Sequence, residues 1–354
     1  MISDRTFSKD WLIEVNRSLG WNRSDAQLGN IEKAIVAMHL LECLSITEAK
    51  FVFKGGTSLL LLLGKIYRLS VDIDIVAEQV IDGAILERAC TASKLFTRWE
   101  ERKRSDASHN DMGHFMFYYP SFLDAGRESY VILDVYNATN PYASIVELEL
   151  ASDILCSYGE NVTVRLPDID SIIGDKLTAF APETIGITLT AETNRRPKRV
   201  EAIKQLYDIG NLFDYSKNFD NLRSTYFEVA NREIDMRGLS IEPIDVLDDT
   251  MRYATIIGYM GAVDKDKYDL IAKGFSDFRK FVADLRFDEN DAVLAASKAA
   301  YLASSLIQMT EGIEKYDDNA DIRLWEIKAD GFAAFNELKY SNPEAFFYWF
   351  KTLE

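Results

Sequence analysis

Between Phe51 and about residue 165 the chain alternates apolar and polar residues in short runs, while on either side apolar residues recur every three or four positions. Side chains alternate across a strand and recur along one face of a helix, so the contrast predicts strands inside the window and helices outside it. Lys9 to Glu48 reads as helices, the clearest being "DAQLGNIEKAIVAMHLLECLS", with Ser24 or Asp25 as N-cap. Phe51–Lys54 reads as a short strand ending at Gly55-Gly56, with a buried helix over Thr57–Leu63. "LSVDIDIVA" alternates and is rich in β-branched residues, the pattern of a half-buried strand. "GHFMFYYP" and "SYVILDVYNA" read as two more strands, and the turn-rich "LDAGRE" between them predicts an antiparallel hairpin. After Pro167 the periodicity becomes helical, in "DIDSIIGDKLTAFAPE", in "PKRVEAIKQLYDIGNLFDYS" and in nearly everything beyond Asn221. "DENDAVLAASKAAYLASSLIQMTEGIEKY" predicts one long helix. The expected organisation is a helical segment over 1–50, a mixed α/β core over 51–165 and a helical domain over 166–354, which is an α+β fold.

Composition narrows the function classes. The chain has 354 residues, 47% of them apolar, with 40 Lys and Arg against 57 Asp and Glu and a net charge of -17. That balance argues against generic coating of nucleic acid, where a basic face supplies most of the affinity. It leaves room for an enzyme that holds nucleic acid on a local basic patch. Cys43, Cys90 and Cys156 show no CxxC spacing, an odd cysteine is left over in any pairing, and His39, His109 and His114 show no zinc spacing with them. No signal-peptide core is present in Met1–Gly20 and no run approaches the ~20 apolar residues of a membrane span. A cytoplasmic protein with no membrane partner is expected.

Two carboxylates, Asp72 and Asp74, are separated by one residue in a predicted strand, so they are expected on one face. Neighbouring like charges repel, and a divalent cation between them removes the repulsion. Mg²⁺ takes oxygen ligands and shares them with substrate phosphates. Asp134 lies inside the apolar "YVILDVY"; beside "VDIDI" it would complete a three-acid site, and away from it would pair with an Arg or Lys. Gly55-Gly56, between a strand and a helix, lets backbone N–H groups approach phosphate. Lys54 and Thr57 are placed to reach phosphate too, or to serve as a surface lysine and an N-cap. The rival P-loop motif fails, since Leu59 stands where it needs glycine and Ile66 follows Gly64-Lys65.

Taken together, Gly55, Gly56, Thr57, Leu59, Arg68, Ser70, Asp72 and Asp74 resemble the first motif of the AbiEii nucleotidyltransferase toxin family. "SIIGDKLTAF" is similar to its helix with a D/E-K-[LI]-x-A motif, and "RPKRVEAIKQLYDIGNLF" to its R/K-D-x-x-D-[LI] helix, with Gln205 where members usually carry Asp. The resemblance runs from about Phe51 to Phe213. It implies a polymerase-β-like nucleotidyltransferase core with a mixed sheet, and a mainly helical C-terminal domain. It also implies transfer from an NTP to an acceptor, with tRNA 3′ ends as acceptor, a cognate antitoxin as partner and a role in phage defence. Asp72, Asp74 and Asp134 would then hold two Mg²⁺ ions, with Mn²⁺ as an expected substitute. Gly55, Gly56 and Thr57 would cradle the triphosphate beside Lys54 and Ser70. Lys176 and Lys204 would contact phosphate, and Asp208 would orient one of the lysines.

A phosphate on Ser70 would add ~1.5–2 negative charges beside the acids and is expected to inhibit. For the acceptor, the densest basic cluster is Arg195, Arg196, Lys198, Arg199 and Lys204, read as a loop entering a helix. "RWEERKR" reads as a solvated helix face, and Tyr118, Tyr119 and Tyr136 as core aromatics or base-stacking platforms.

Overall fold

In the computed structural model the described residues are 1–21, 24, 28–102, 112–190, 198–283 and 286–354. They form two compact units, Met1–Asp168 with Lys280–Leu285, and Ile169–Arg279 with Arg286–Glu354. The first unit starts with helices α1 (Lys9–Ser18) and α2 (Leu28–Ser45). Ser8 Oγ caps α1 by accepting from Trp11 N at 3.2 Å. Asp25 lies outside the described residues, and α2 begins four residues after Ser24. Nearly every residue of α2 is buried, which suits a helix apolar on all sides. There follow β1 (Val52–Lys54), α3 (Gly55–Leu62), β2 (Ile73–Ala77), α4 (Gly83–Thr91), β3 (Arg98–Glu101), β4 (Met112–Pro120), β5 (Glu128–Asn137), β6 (Ile145–Glu149) and β7 (Thr163–Pro167).

Among the described residues, five strands form a mixed sheet in the order β1-β2-β5-β4-β3, and β6 pairs with β7 separately. Only β2 and β5 run parallel; β4 and β5 form the expected antiparallel hairpin. The core side of the sheet carries Phe53, Ile73, Ile75, Phe115, Phe117, Tyr119, Val131, Leu133 and Val135, buried together with Leu12, Ile31, Ile35 and Leu41 of the N-terminal helices. The segment over 1–50 therefore shares one core with the sheet. The other side carries the polar partners of the alternation.

The second unit comprises α5 (Ile169–Ala179), α6 (Arg199–Phe213), α7 (Phe219–Arg237), α8 (Pro243–Gly258), α9 (Lys265–Ala272), α10 (Phe275–Phe278), α11 (Glu289–Ile307), α12 (Leu338–Ser341) and α13 (Pro343–Leu353). A Cβ on Gly174 of α5 would lie 2.6 Å from Leu222 O of α7, so glycine is what allows these helices to close up. Among the described residues no helix is long and apolar enough to cross a membrane.

Four expectations are corrected. The strand read from "LSVDIDIVA" starts only at Ile73, leaving Ser70 and Asp72 in the approach to it. Arg98–Glu101 is an edge strand rather than a helix face, with Lys103 and Arg104 outside the described residues. The long helix ends at Ile307, where Met309 takes a φ of 53°. Much of 310–332 is turn and irregular chain in place of the helix expected there.

Candidate active site

Register builds the site. Lys54 of β1 pairs with Asp74 of β2, Asp74 with Asp134 of β5, and Asp134 with His114 of β4. Residues opposite one another on neighbouring strands share a face. A single row of lysine, two aspartates and histidine therefore crosses four strands on the side away from the core cluster. The next row is Val52, Val76, Tyr136 and Met112, in the same register. Val52, Val76 and Tyr142 form a small buried cluster there, with Tyr136 packed against it, so the acids sit beside an apolar floor.

Neighbouring strands are ~4.8 Å apart, and two carboxylates at that spacing repel by roughly 3 kcal/mol at an effective dielectric of about 20. The sheet sets this repelling pair between a lysine and a histidine of the same row. Asp134 keeps about a quarter of its side-chain surface (23%) exposed, and His114 Nδ1 lies 2.5 Å from its Oδ1.

The glycine bend faces this row. Gly55 has φ +78°, and a Cβ there would fall 2.2 Å from Asp74 Oδ2, so both backbone and space demand glycine. The Asp74 carboxylate is consequently packed against the backbone that opens α3. At Gly56 a Cβ would meet Arg68 Nη2 at 2.4 Å and Ser70 Oγ at 3.0 Å. Ser70 and the buried Arg68 therefore face the second glycine, and Arg68 Nη1 also donates to Leu69 O at 3.2 Å. Thr57 is fully buried and its hydroxyl donates to Asp72 O at 2.5 Å, tying α3 to the approach to β2. The N-cap of α3 is Lys54, so Thr57 is not the cap, and its side chain serves the fold. Asp72, half-buried and one residue ahead of β2, has its backbone oxygen held by this bond.

The donor set suits a hard divalent ion as far as the paired carboxylates go. Among the described residues no three His, Cys, Asp or Glu side chains are gathered in an arrangement able to hold a metal by themselves. Two carboxylates with substrate phosphates and water are the usual Mg²⁺ shell, and Asp74 with Asp134 meets that requirement.

In the second unit, Lys176 of α5 is buried, with Nζ 2.6 Å from Asp208 Oδ2 and 3.2 Å from Gln205 Oε1 of α6. The residue that departs from the family pattern thus accepts a hydrogen bond from the family's lysine. Lys204 is half-buried on α6. Arg195 and Arg196 lie outside the described residues. Lys198 is exposed, while Arg199 is half-buried and its Nε lies inside with no hydrogen-bond partner among the described residues. Tyr119 is fully buried and so unable to stack a base; Tyr118 lies under the Arg98 guanidinium at 3.7 Å.

The residue that sequence reasoning passed over is His114. A lone histidine in an apolar strand carries no motif, and only the register reveals its partner. A cysteine nucleophile is excluded at Cys43: its Sγ is 3.8 Å from His39 Nε2, but burial pushes the thiol up to about 12, so it stays protonated.

The family model described as "Nucleotidyl transferase AbiEii toxin, Type IV TA system" matches residues 39–301, well over half of the chain. By class the protein is a nucleotidyltransferase. It belongs to the AbiEii toxin family of type IV toxin–antitoxin systems. Among solved structures it is similar to MenT4, a nucleotidyltransferase toxin from Mycobacterium tuberculosis H37Rv. The two share 15% identity over 83% of this chain and 98% of the other, with a TM-score of 0.47. No curated protein matches the chain.

Proposed function

We propose that this toxin transfers a nucleotide from an NTP to the 3′ end of a tRNA in a Mg²⁺-dependent reaction centred on the acid row. The observation that carries the reading is the in-register pair Asp74–Asp134 with the Gly55 backbone pressed against Asp74. In the reaction the acceptor hydroxyl attacks the α-phosphorus, its proton passes to Asp134, and pyrophosphate leaves. Divalent ions, when bound, neutralise the charge of the triphosphate and of the departing pyrophosphate. Asp74 and Asp134 would hold them, and the family resemblance assigns Asp72 as a further ligand. Two ions is the expected number, with Mn²⁺ able to replace Mg²⁺. Backbone N–H groups at Gly55, Gly56 and Thr57 face the phosphates. Lys54, half-buried in the row, and Ser70, beside Gly56, line the same bend.

The family resemblance assigns Lys176 and Lys204 to phosphate and Asp208 to orienting them; the Lys176–Asp208 pair supports the orienting role. Lys198 is the exposed described cation of the basic cluster and supports an RNA backbone contact. A cognate antitoxin and a cytoplasmic location belong to the same reading.

The test is incubation with each labelled NTP and total RNA, with and without a chelator. Label in tRNA that chelation abolishes is the expected result. A second reading, in which a protein or small molecule is the acceptor, is favoured by the net charge of -17, and label in a protein extract instead of RNA would select it.

A further inference from the structure

We propose that His114 is a positioning residue for Asp134, holding one carboxylate oxygen so that the other is presented to the acceptor hydroxyl. The inference rests on the function proposed above. His114 stands opposite Asp134 on β4, one strand further from Asp74. Its ring is nine-tenths buried, at 7% side-chain exposure, and its Nδ1 is 2.5 Å from Asp134 Oδ1. A hydrogen must lie between the two atoms, because a bare Nδ1 would set its lone pair against an anionic oxygen. Nδ1 therefore donates, whichever protonation state the ring adopts.

The other ring nitrogen makes the case specific. Nε2 of His114 is buried and, among the described residues, has no hydrogen-bond partner. A buried polar atom left unpaired costs about 1–3 kcal/mol, so it is the Nδ1 contact with Asp134 that sets the ring's orientation. The orientation serves Asp134. A carboxylate held at one oxygen loses the freedom to flip about χ2, and Oδ2 then keeps one direction. Partners of this kind behind a reacting or ligating group are typically worth 10- to 100-fold in activity. The backbone is fixed as well, since His114 O accepts from Arg102 N at 2.8 Å.

Three variants and two readouts test the proposal. Asparagine carries an amide N–H near the position of Nδ1–H, whereas leucine fills the space without a donor. His114→Leu is expected to lower kcat for nucleotide transfer roughly 10- to 100-fold while the KM for NTP stays within about twofold. His114→Asn is expected to recover most of that loss. Independently of turnover, ¹⁵N-histidine spectra without NTP or metal should show an Nδ1-protonated His114 whose signal moves in Asp134→Ala. The proposal is overturned by wild-type kcat in His114→Leu, by equal impairment of the Leu and Asn variants, or by an Nδ1 signal indifferent to Asp134→Ala. Should His114→Leu fail to fold, the Asn variant and the spectra decide. An inactive Asp134→Ala beside a fully active His114→Leu would remove the positioning role alone. Full activity in Asp134→Ala would remove the proposed function and this inference with it.

Discussion

His39 of α2 and His114 of β4 each turn Nδ1 toward a carboxylate, at 3.1 Å from Glu42 and 2.5 Å from Asp134. Around His39 every valence is used. Nε2 meets Ser93 Oγ at 2.7 Å, Ser93 Oγ in turn accepts from Leu95 N at 3.0 Å, and Glu42 Oε1 accepts from Ile2 N at 2.8 Å. Burial opposes ionisation of Glu42, but the His39 and Ile2 hydrogen bonds outweigh it and hold the carboxyl below its ordinary value. Around His114 the network stays open: among the described residues Nε2 is unpaired, and Asp134 has a second carboxylate beside it on the parallel strand. Two arrangements of the same side chains thus divide labour within one unit. The closed one fastens the N-terminus to α2, and the open one is the arrangement proposed above to serve nucleotide transfer.

Breaking the open network should remove activity and spare the fold. Asp74→Ala is expected to lower Mg²⁺-dependent transfer at least about a thousandfold, the several kcal/mol that metal-assisted charge stabilisation supplies. Its thermal melt should still show a cooperatively folded protein, so that the loss is read per folded molecule; a collapse of the melt with activity per folded molecule intact would reverse the assignment. The closed Lys176–Asp208 pair should behave in the opposite manner. Lys176→Met removes the cation 2.6 Å from buried Asp208 and is expected to destabilise by about 3–5 kcal/mol, measured by urea unfolding, with much of that recovered in Lys176→Met/Asp208→Leu. Recovery of stability without recovery of NTP affinity would support the phosphate role; recovery of both would end it.

Two smaller effects sharpen the contrast. Gly55→Ala forces a positive φ on alanine, about 1–2 kcal/mol, and drives a methyl at Asp74. Its loss of transfer should exceed what the unfolded fraction explains, as read by activity against the melt. For Glu42 the folded value is depressed from 4.5, so its contribution is complete above 4.5 and is lost as pH falls through the folded value. Glu42→Gln should flatten stability against pH in that acid range while leaving transfer per folded molecule unchanged.

The β4–β5 hairpin was legible because its alternation and its turn residues point the same way. β3 was not, since Arg98, Glu100 and Glu101 make an edge strand look like a charged helix face; such charges suit an edge left unpaired. β6 and β7 are five-residue strands, and their partnership joins segments fourteen residues or more apart, which local patterning does not report. In the site, the Asp-x-Asp spacing drew attention to Asp72, which lies one residue ahead of β2 with its backbone held through Thr57. The neighbour of Asp74 across the sheet is Asp134, sixty residues on, and the neighbour of Asp134 is His114. The first neighbourhood was one of two alternatives the sequence left open for Asp134, decided by strand order; the second belongs to strand order alone.

One late segment has a consequence for synthesis. Leu69 N donates to Phe281 O at 2.8 Å and Ala283 N to Tyr67 O at 2.8 Å, with Arg68 and Val282 bridged between them. The stretch leading from α3 toward the acids is thus stapled by chain that leaves the ribosome long after the sheet itself. A nascent or truncated polypeptide ending before residue 281 lacks the staple, so a toxin assembled in this order is finished only when most of its message has been read.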